Sequence, residues 1–415
     1  MIKFLHAADV HLDSPLRGLE SYDGAPAERI RLATRRAFEN LVELAIAEQV
    51  AFVLLAGDLY DGDWQDYNTG LYLVRQMARL REAGIKVIAI AGNHDAHNKM
   101  TRRLPLPDNV TMLSHDEPQS LSLQDYDVMV HGQGFSTQAV TEDLSQRYPQ
   151  ATRGLYNIGI LHTCAGGDER HGRYAPCTVQ GLVAKGYDYW ALGHVHTRQM
   201  LCEKPYIAFP GNTQGRHARE LGPKGCLLVS IANGGPPKVD FRRLDVVRWE
   251  LCEIDATRAG SEDELADAAS GQLAEWLARE DADRLLAVRV VIGGASPIHD
   301  RLLSDPEKTR AAVRARAAEL GTDRLWVEQV KIQTSPLRSA TAVGDGPIEE
   351  LFAVLEELRS DESRFKELSG LFKGLRLKLP QELMEGPEAL ALDSPEWLRE
   401  VLDSAEALLH DRLHF

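Results

Sequence analysis

Cysteine is scarce. The chain has five in 415 residues, Cys164, Cys177, Cys202, Cys226 and Cys252, an odd number with no C-x-x-C pair. That pattern argues against a disulfide framework and offers no thiolate metal site, so the thiols are read as reduced and mostly buried. Long apolar runs are missing too: none approaches the roughly 20 residues of a membrane helix. The stretch Met1 to Asp9 has no basic region and no small-residue cleavage site, so no signal peptide is read and the cytoplasm is the expected compartment. No internal repeat or extended low-complexity stretch interrupts the chain. Positive charge is also in deficit: 47 Lys and Arg stand against 62 Asp and Glu, a net −15. Taken over the whole chain, that is the wrong sign for a protein that grips a phosphate polymer.

The deficit is not evenly spread. Residues 1–247 hold 26 basic against 28 acidic side chains, a net of −2, and residues 248–415 hold 21 against 34, a net of −13. The N-terminal part is therefore near neutral, and two divalent ions would make it locally positive. The acidic excess belongs to the C-terminal part, which is expected to face something other than phosphate.

A length of 415 residues suits two or three domains. In the first 245, apolar runs read as short buried strands at Ile2–Ala7, Phe52–Ala56, Val87–Ala91, Val128–Gly132, Ile158–His162 and Tyr189–Leu192. Helical stretches at Arg29–Gln49 and Tyr67–Ala83 separate the first three, which indicates α/β layering. Later runs, Tyr206–Phe209, Gly225–Ile231 and Lys238–Leu244, follow one another without helices and suggest a more antiparallel second sheet. The expected fold class is α/β, a two-sheet sandwich over residues 1–247 flanked by helices. Residues 248–333 read as a small β-α-β-α-β capping domain, with strands at Leu251–Ile254, Leu285–Ile292 and Leu325–Ile332 and helices at Glu262–Arg279 and Pro306–Leu320. A polar linker covers 334–346. Amphipathic helices are expected in 347–415, at Pro347–Arg359 with Leu351, Leu355 and Leu358 on one face, and at Pro395–Leu413 with Leu398, Val401, Leu402 and Leu408.

Several strands end in polar clusters. Asp9-Val10-His11 closes the first, and alternate side chains of an extended chain point the same way. Gly57-Asp58-Leu59-Tyr60-Asp61 follows the second, its glycine permitting a tight turn. Gly92-Asn93-His94-Asp95 follows the third. His162 ends a later run, and Gly193-His194-Val195-His196 ends another, with the glycine giving the loop clearance. Taken singly, each has a bland reading as a solvated strand end or an ordinary turn. Together they place His11, His162, His194, His196, Asp9, Asp58 and Asn93 where ligands of open α/β sheets collect. Seven mixed nitrogen and oxygen donors exceed one tetrahedral zinc and suit two ions sharing a carboxylate.

These motifs, in this order, resemble the calcineurin-like metallophosphoesterase superfamily over about residues 1–245. The stretches His6 to Pro15 (HAADVHLDSP), Tyr187 to His196 (YDYWALGHVH), Pro210 to His217 (PGNTQGRH) and Gly222 to Gly225 (GPKG) are similar to the SbcD-like DNA repair exonucleases, in particular their YhaO-like branch. The resemblance implies that Asp9, His11 and His196 hold one ion, that Asn93, His162 and His194 hold the other, and that Asp58 bridges. It implies a catalytic role for His94, which stabilises the phosphate and protonates the leaving oxygen as an activated water attacks phosphorus in line. Archaeal and eukaryotic relatives often carry His where Asp61 stands, so Asp61 is read instead as a carboxylate that orients His94. The expected cofactor is two divalent metal ions, Mn2+ first because the donor set lacks thiolate, with iron or zinc in one position as the alternative.

The function implied is a two-metal phosphodiesterase, a DNA exonuclease or endonuclease subunit acting in DNA repair. Its implied partners are DNA and an SbcC-like ABC-type ATPase docked on 347–415; a homodimer is a further candidate, and no membrane is involved. Arg216 and His217, with Arg219, are candidate DNA-backbone contacts, against the alternative of a solvated basic loop. Trp64, Tyr67 and Tyr174 are candidates for stacking on an unpaired base, against ordinary packing. A phosphoesterase for a nucleotide or cyclic nucleotide would use the same metal site but has little need of residues 249–415. A non-catalytic scaffold binding DNA or a partner is the third reading, and a complete donor set argues against it.

Overall fold

The computed structural model describes residues 1–14, 25–61, 68–97, 105–165, 175–232, 235–321 and 323–337, with a few positions between 354 and 402. Trp64, Tyr67, Tyr174, the leucines at 351, 355, 358 and 408, residues 338–346 of the expected linker and nearly all of the expected C-terminal helices lie outside these residues; the linker's first three residues belong instead to the last strand, which runs to Pro336.

The elements run β1 (Ile2–Ala7), α1 (Ala27–Arg31), α2 (Ala33–Ala47), β2 (Phe52–Ala56), α3 (Asn68–Glu82), β3 (Lys86–Ile90), β4 (Val110–Met112), β5 (Gln119–Leu123), β6 (Val128–Gln133) and β7 (Tyr156–His162). They continue with α4 (Val179–Val183), β8 (Tyr189–Gly193), β9 (Gln199–Cys202), β10 (Tyr206–Phe209), β11 (Gly225–Ile231) and β12 (Lys238–Arg243). Then follow β13 (Val247–Asp255), α5 (Glu262–Arg279), β14 (Leu285–Ser296), α6 (His299–Ser304), α7 (Pro306–Glu319) and β15 (Leu325–Pro336). The single helix expected from Arg29 is two, broken at the exposed Leu32.

Two six-stranded sheets form the body, ordered β12-β11-β1-β2-β3-β4 and β5-β6-β7-β8-β10-β9. Alternation along β1 explains the layering: Leu5 and Ala7 face α2 and α3 with Phe38, Leu41 and Leu73, whereas Phe4 faces the other sheet with Phe52, Ile88, Ile158 and Tyr189. The second sheet's outer face, with Trp190 and Leu192 of β8, is buried against Tyr148 and Leu182. One expectation needs correcting. The late strands do not make a separate antiparallel sheet: β11 and β12 extend the first, with Phe4 opposite Val229, and β10 runs parallel to β8 in the second. Nearly all of β11 is buried, and it lies beside β1, whose last four residues are buried on both faces.

The chain forms two compact units. One comprises Met1–Leu251, Glu280–Val288 and Asp323–Glu328; the other comprises Cys252–Arg279, Arg289–Thr322 and Gln329–Phe415. Within the first, Trp249, Leu285, Ala287 and Trp326 pack with Ile30, Ala33 and Val247. Asp245, Arg248, Glu280 and Arg284 form a buried ion cluster beside them, with Arg248 Nε 2.8 Å from Asp245. In the second, α5 packs along α7, whose start is set by Asp305 accepting from Lys308 N, followed by Pro306. The third sheet is ordered β13-β14-β15.

Candidate functional site

Strands β1, β2 and β3 of one sheet and β7 and β8 of the other release their polar clusters at one place. Asp9, His11, Asp58 and His162 are almost completely buried, Asn93 and His194 nearly so, and His94 is about a third exposed. The backbone bends sharply to achieve this: Asp9, His11, Asp58 and His194 have φ of 52°, 47°, 51° and 104°. A left-handed turn at a non-glycine residue costs roughly 1–3 kcal/mol and persists where the surroundings enforce it. Asp9 and His11 are therefore brought together by two left-handed residues, not by strand alternation as the sequence suggested. Gly57 (φ 89°) permits the turn before Asp58, and a Cβ there would lie 2.5 Å from His162 Nδ1. At Gly193 a Cβ would collide with the Ala56 carbonyl oxygen.

The donor atoms converge. His11 Nε2 lies 3.2 Å from His196 Nε2 and 3.9 Å from Asp58 Oδ2. His162 Nε2 lies 3.0 Å from Asn93 Oδ1 and 3.4 Å from Asp58 Oδ2. Three overlapping clusters have ligand-type atoms within 4.8 Å of one another: Asp9–His11–His196, His11–Asp58–His94 and Asp58–His162–His194. Outer contacts fix the donors. His162 Nδ1 donates to Ala56 O at 2.9 Å, and both Asp9 oxygens accept from His194 N at 3.0 Å. His94 N donates to Asp58 Oδ1, also at 3.0 Å. Asp95, the last residue of the Gly92–Asp95 cluster, is buried and accepts from Leu59, Tyr60 and Gly92 N, tying two of the loops together.

This geometry tests whether ions fit. With its Nδ1 proton on Ala56, His162 turns an Nε2 lone pair toward two oxygen acceptors, an arrangement that is favourable only around a cation. Electrostatics agree. Burial works to lower the His162 pKa, but Asp58 and Asp9 outweigh it and raise it to about 9, so a proton stands in for the cation. Burial opposes ionisation of Asp58 as well, yet His162 and His11 hold its carboxyl well below the usual range. Burial raises Asp9 to about 6 against the pull of His196 and His162. A nitrogen and oxygen donor set of this density suits a pair of divalent ions.

His94 Nδ1 lies 2.7 Å from Asp61 Oδ1, and Ser14 Oγ donates to Asp61 Oδ2 at 2.5 Å. The hydrogen bond from His94 to Asp61 raises the His94 pKa, with burial opposing. Arg216 does not lie on an open basic loop. Its guanidinium is largely buried, 3.5 Å from Asp61 Oδ2 and 3.0 Å from Glu220 Oε1. His217 beside it is half-exposed. Glu220 and Ser14 had no recognisable signal in the sequence.

Comparison with known proteins decides the family. Residues 2–198 match the calcineurin-like phosphoesterase family, and residues 249–335 match the middle domain of metallophosphoesterase YhaO. The chain is 36% identical over 312 residues to the uncharacterized metallophosphoesterase YhaO of Bacillus subtilis, covering 74% of this chain and 75% of that protein. It belongs to the calcineurin-like metallophosphoesterases. This phosphoesterase is thus a metal-binding hydrolase of phosphoester bonds. More distantly, it is 26% identical over 250 residues to the DNA double-strand break repair protein Mre11 of Saccharolobus solfataricus, spanning 57% of this chain and 62% of that one. It is also 26% identical over 385 residues to the Mre11 protein of Aeropyrum pernix, spanning 84% and 86%. Among the described residues, no helix of the phosphoesterase is long and apolar enough to cross a membrane.

Proposed function

We propose that the protein is a two-metal phosphodiesterase that degrades DNA. The observation that carries this reading is the convergence of seven donors, with His94 beside them, at one end of the sandwich. In this assignment Asp9, His11 and His196 hold one ion, Asn93, His162 and His194 hold the other, and Asp58 is shared. When bound, the two divalent ions, manganese first, neutralise charge on the phosphoryl oxygens and activate a water. His162 presents Nε2 because Ala56 O holds its other nitrogen. His94 is the proton donor: Asp61 holds Nδ1 in a hydrogen bond that raises the imidazole's pKa against burial, and its partial exposure leaves Nε2 for the departing oxygen.

Two observations favour DNA over a small phosphoester. The distant relatives named above are called DNA double-strand break repair proteins. The region matching the YhaO middle domain adds a whole sheet and helices that a small-molecule enzyme does not need. Arg216 faces inward, which leaves the exposed His217 as the nearer candidate for the DNA backbone. The acidic residues 347–415 are proposed to dock an SbcC-like ATPase. Purified protein incubated with Mn2+ and end-labelled linear DNA, beside a small chromogenic phosphodiester, tests the reading. Chelator-sensitive shortening of the DNA is expected. Cleavage of the small ester alone would favour a nucleotide enzyme, and cleavage of neither a scaffold.

A further inference from the structure

Glu220 is a buried carboxylate, 7% exposed, on which four donors converge. Its Oε1 accepts from His196 Nδ1 at 2.7 Å and from Arg216 Nη2 at 3.0 Å. Its Oε2 accepts from Arg216 N at 2.7 Å and from Asn212 Nδ2 at 2.9 Å. Arg216 then reaches Asp61 Oδ2 with Nη1 at 3.5 Å, and Asp61 Oδ1 meets His94 Nδ1 at 2.7 Å. The five side chains form one continuous path, His196–Glu220–Arg216–Asp61–His94. We propose that Glu220 and Arg216 are positioning residues: Glu220 aims His196 at its ion, and Arg216 fixes that imidazole's frame relative to His94.

The proposal rests on the two-ion reading above, and the chemistry behind it is specific. Arg216 Nη2 also lies 3.2 Å from His196 Nδ1, an approach of two donors that both turn to Glu220 Oε1. A lone pair on Nδ1 facing a carboxylate at 2.7 Å would be repelled, so the proton sits on Nδ1 and the Nε2 lone pair turns toward His11 and the site. Lys224 Nζ donates to His196 O at 3.0 Å, so backbone and ring are anchored separately. Asp61 and Glu220 are both anionic and both largely buried, and a planar guanidinium between them removes their repulsion while setting their separation. A lysine, with a single point charge, cannot make both contacts in one plane.

Full-length Glu220→Gln and Arg216→Met test this through metal binding as well as turnover. Metal content by elemental analysis and Mn2+ affinity by calorimetry are measured on stripped protein. Wild type is expected to take two ions. Glu220→Gln should bind one of them roughly 10- to 100-fold more weakly and leave the other unchanged, the usual cost of losing a carboxylate behind a metal-bound histidine. Excess Mn2+ should then restore most of its turnover. Arg216→Met should keep both ions, lower kcat and leave KM unchanged. Unaltered Mn2+ binding by Glu220→Gln, or a higher KM with normal kcat for Arg216→Met, would overturn the proposal; the second result would place Arg216 on the substrate. If Glu220→Gln also lowers the melting temperature of stripped protein, Glu220→Asp decides. It keeps the charge but withdraws it from His196, so weakened binding of one ion supports the proposal and normal binding overturns it. A wild-type protein that takes up no ion would overturn the two-ion reading itself.

Discussion

Replacing His94 by alanine separates holding an ion from moving a proton. His94 is more exposed than the buried donors and is held by Asp61, so His94→Ala should retain both ions and lose about 10²- to 10⁴-fold in turnover. Elemental analysis beside kinetics checks this, and loss of both ions would count against the role. Asp58 faces His162 at 3.4 Å and His11 at 3.9 Å, which puts it between the two clusters. Asp58→Ala should therefore empty both metal positions and His11→Ala mainly one; equal losses on titration would argue against sharing. These residues were legible in the sequence because each polar cluster directly follows an apolar run, so its place in the chain is also its place at a strand end. Glu220 and Ser14 were not. Their partners are fixed by tertiary approach: Glu220 meets His196 from 24 positions away, and no local pattern encodes that. Arg216 was named from its place in a basic loop, and its turn inward to Asp61 and Glu220 is likewise set by tertiary approach.

Glycine substitutions distinguish the elements. In Gly193→Ala the new methyl meets the Ala56 carbonyl oxygen across the sandwich, and backbone cannot swing aside as a side chain can. The ends of β2 and β8 must separate, so a lower melting temperature and loss of metal are expected together. Gly271→Ala, in the interior of α5 with nothing near its Cβ, should instead stabilise by roughly 0.5–1 kcal/mol, because only chain entropy changes. Thermal denaturation of the two variants should give shifts of opposite sign. Buried strands such as β2 and β8 were readable because every side chain in them is covered. Strands β4, β5 and β9 escaped reading because they are short edge strands with few buried residues, and the alternation of β5 is limited to Leu121 and Leu123.

At the scale of the molecule, the first compact unit is built from three stretches of chain. A fragment ending at residue 247 would lose Trp249, Leu285, Ala287 and Trp326 from the cluster around Ile30 and Ala33. It would also leave the fully buried Asp245 without Arg248 and Arg284. Each buried apolar side chain is worth roughly 1.5–3 kcal/mol. An unpaired buried charge costs about 3–5 kcal/mol. Against a total stability of about 5–15 kcal/mol, the fragment should be insoluble or melt far below the full chain in a circular dichroism scan. The donor clusters have their own geometry at this scale. Asp9 and His11 come from one sheet and His196 from beyond a strand of the other; Asp58 likewise faces His162 and His194. Each ion would thus act as a rivet through both sheets, holding closed the end where four of the donor residues have left-handed backbone. At an ion concentration 100 times its Kd, one such rivet adds about 2.7 kcal/mol against unfolding. Chelation should therefore do more than stop turnover: the strand ends at this mouth should become the first amides in the sandwich to exchange their hydrogens with solvent.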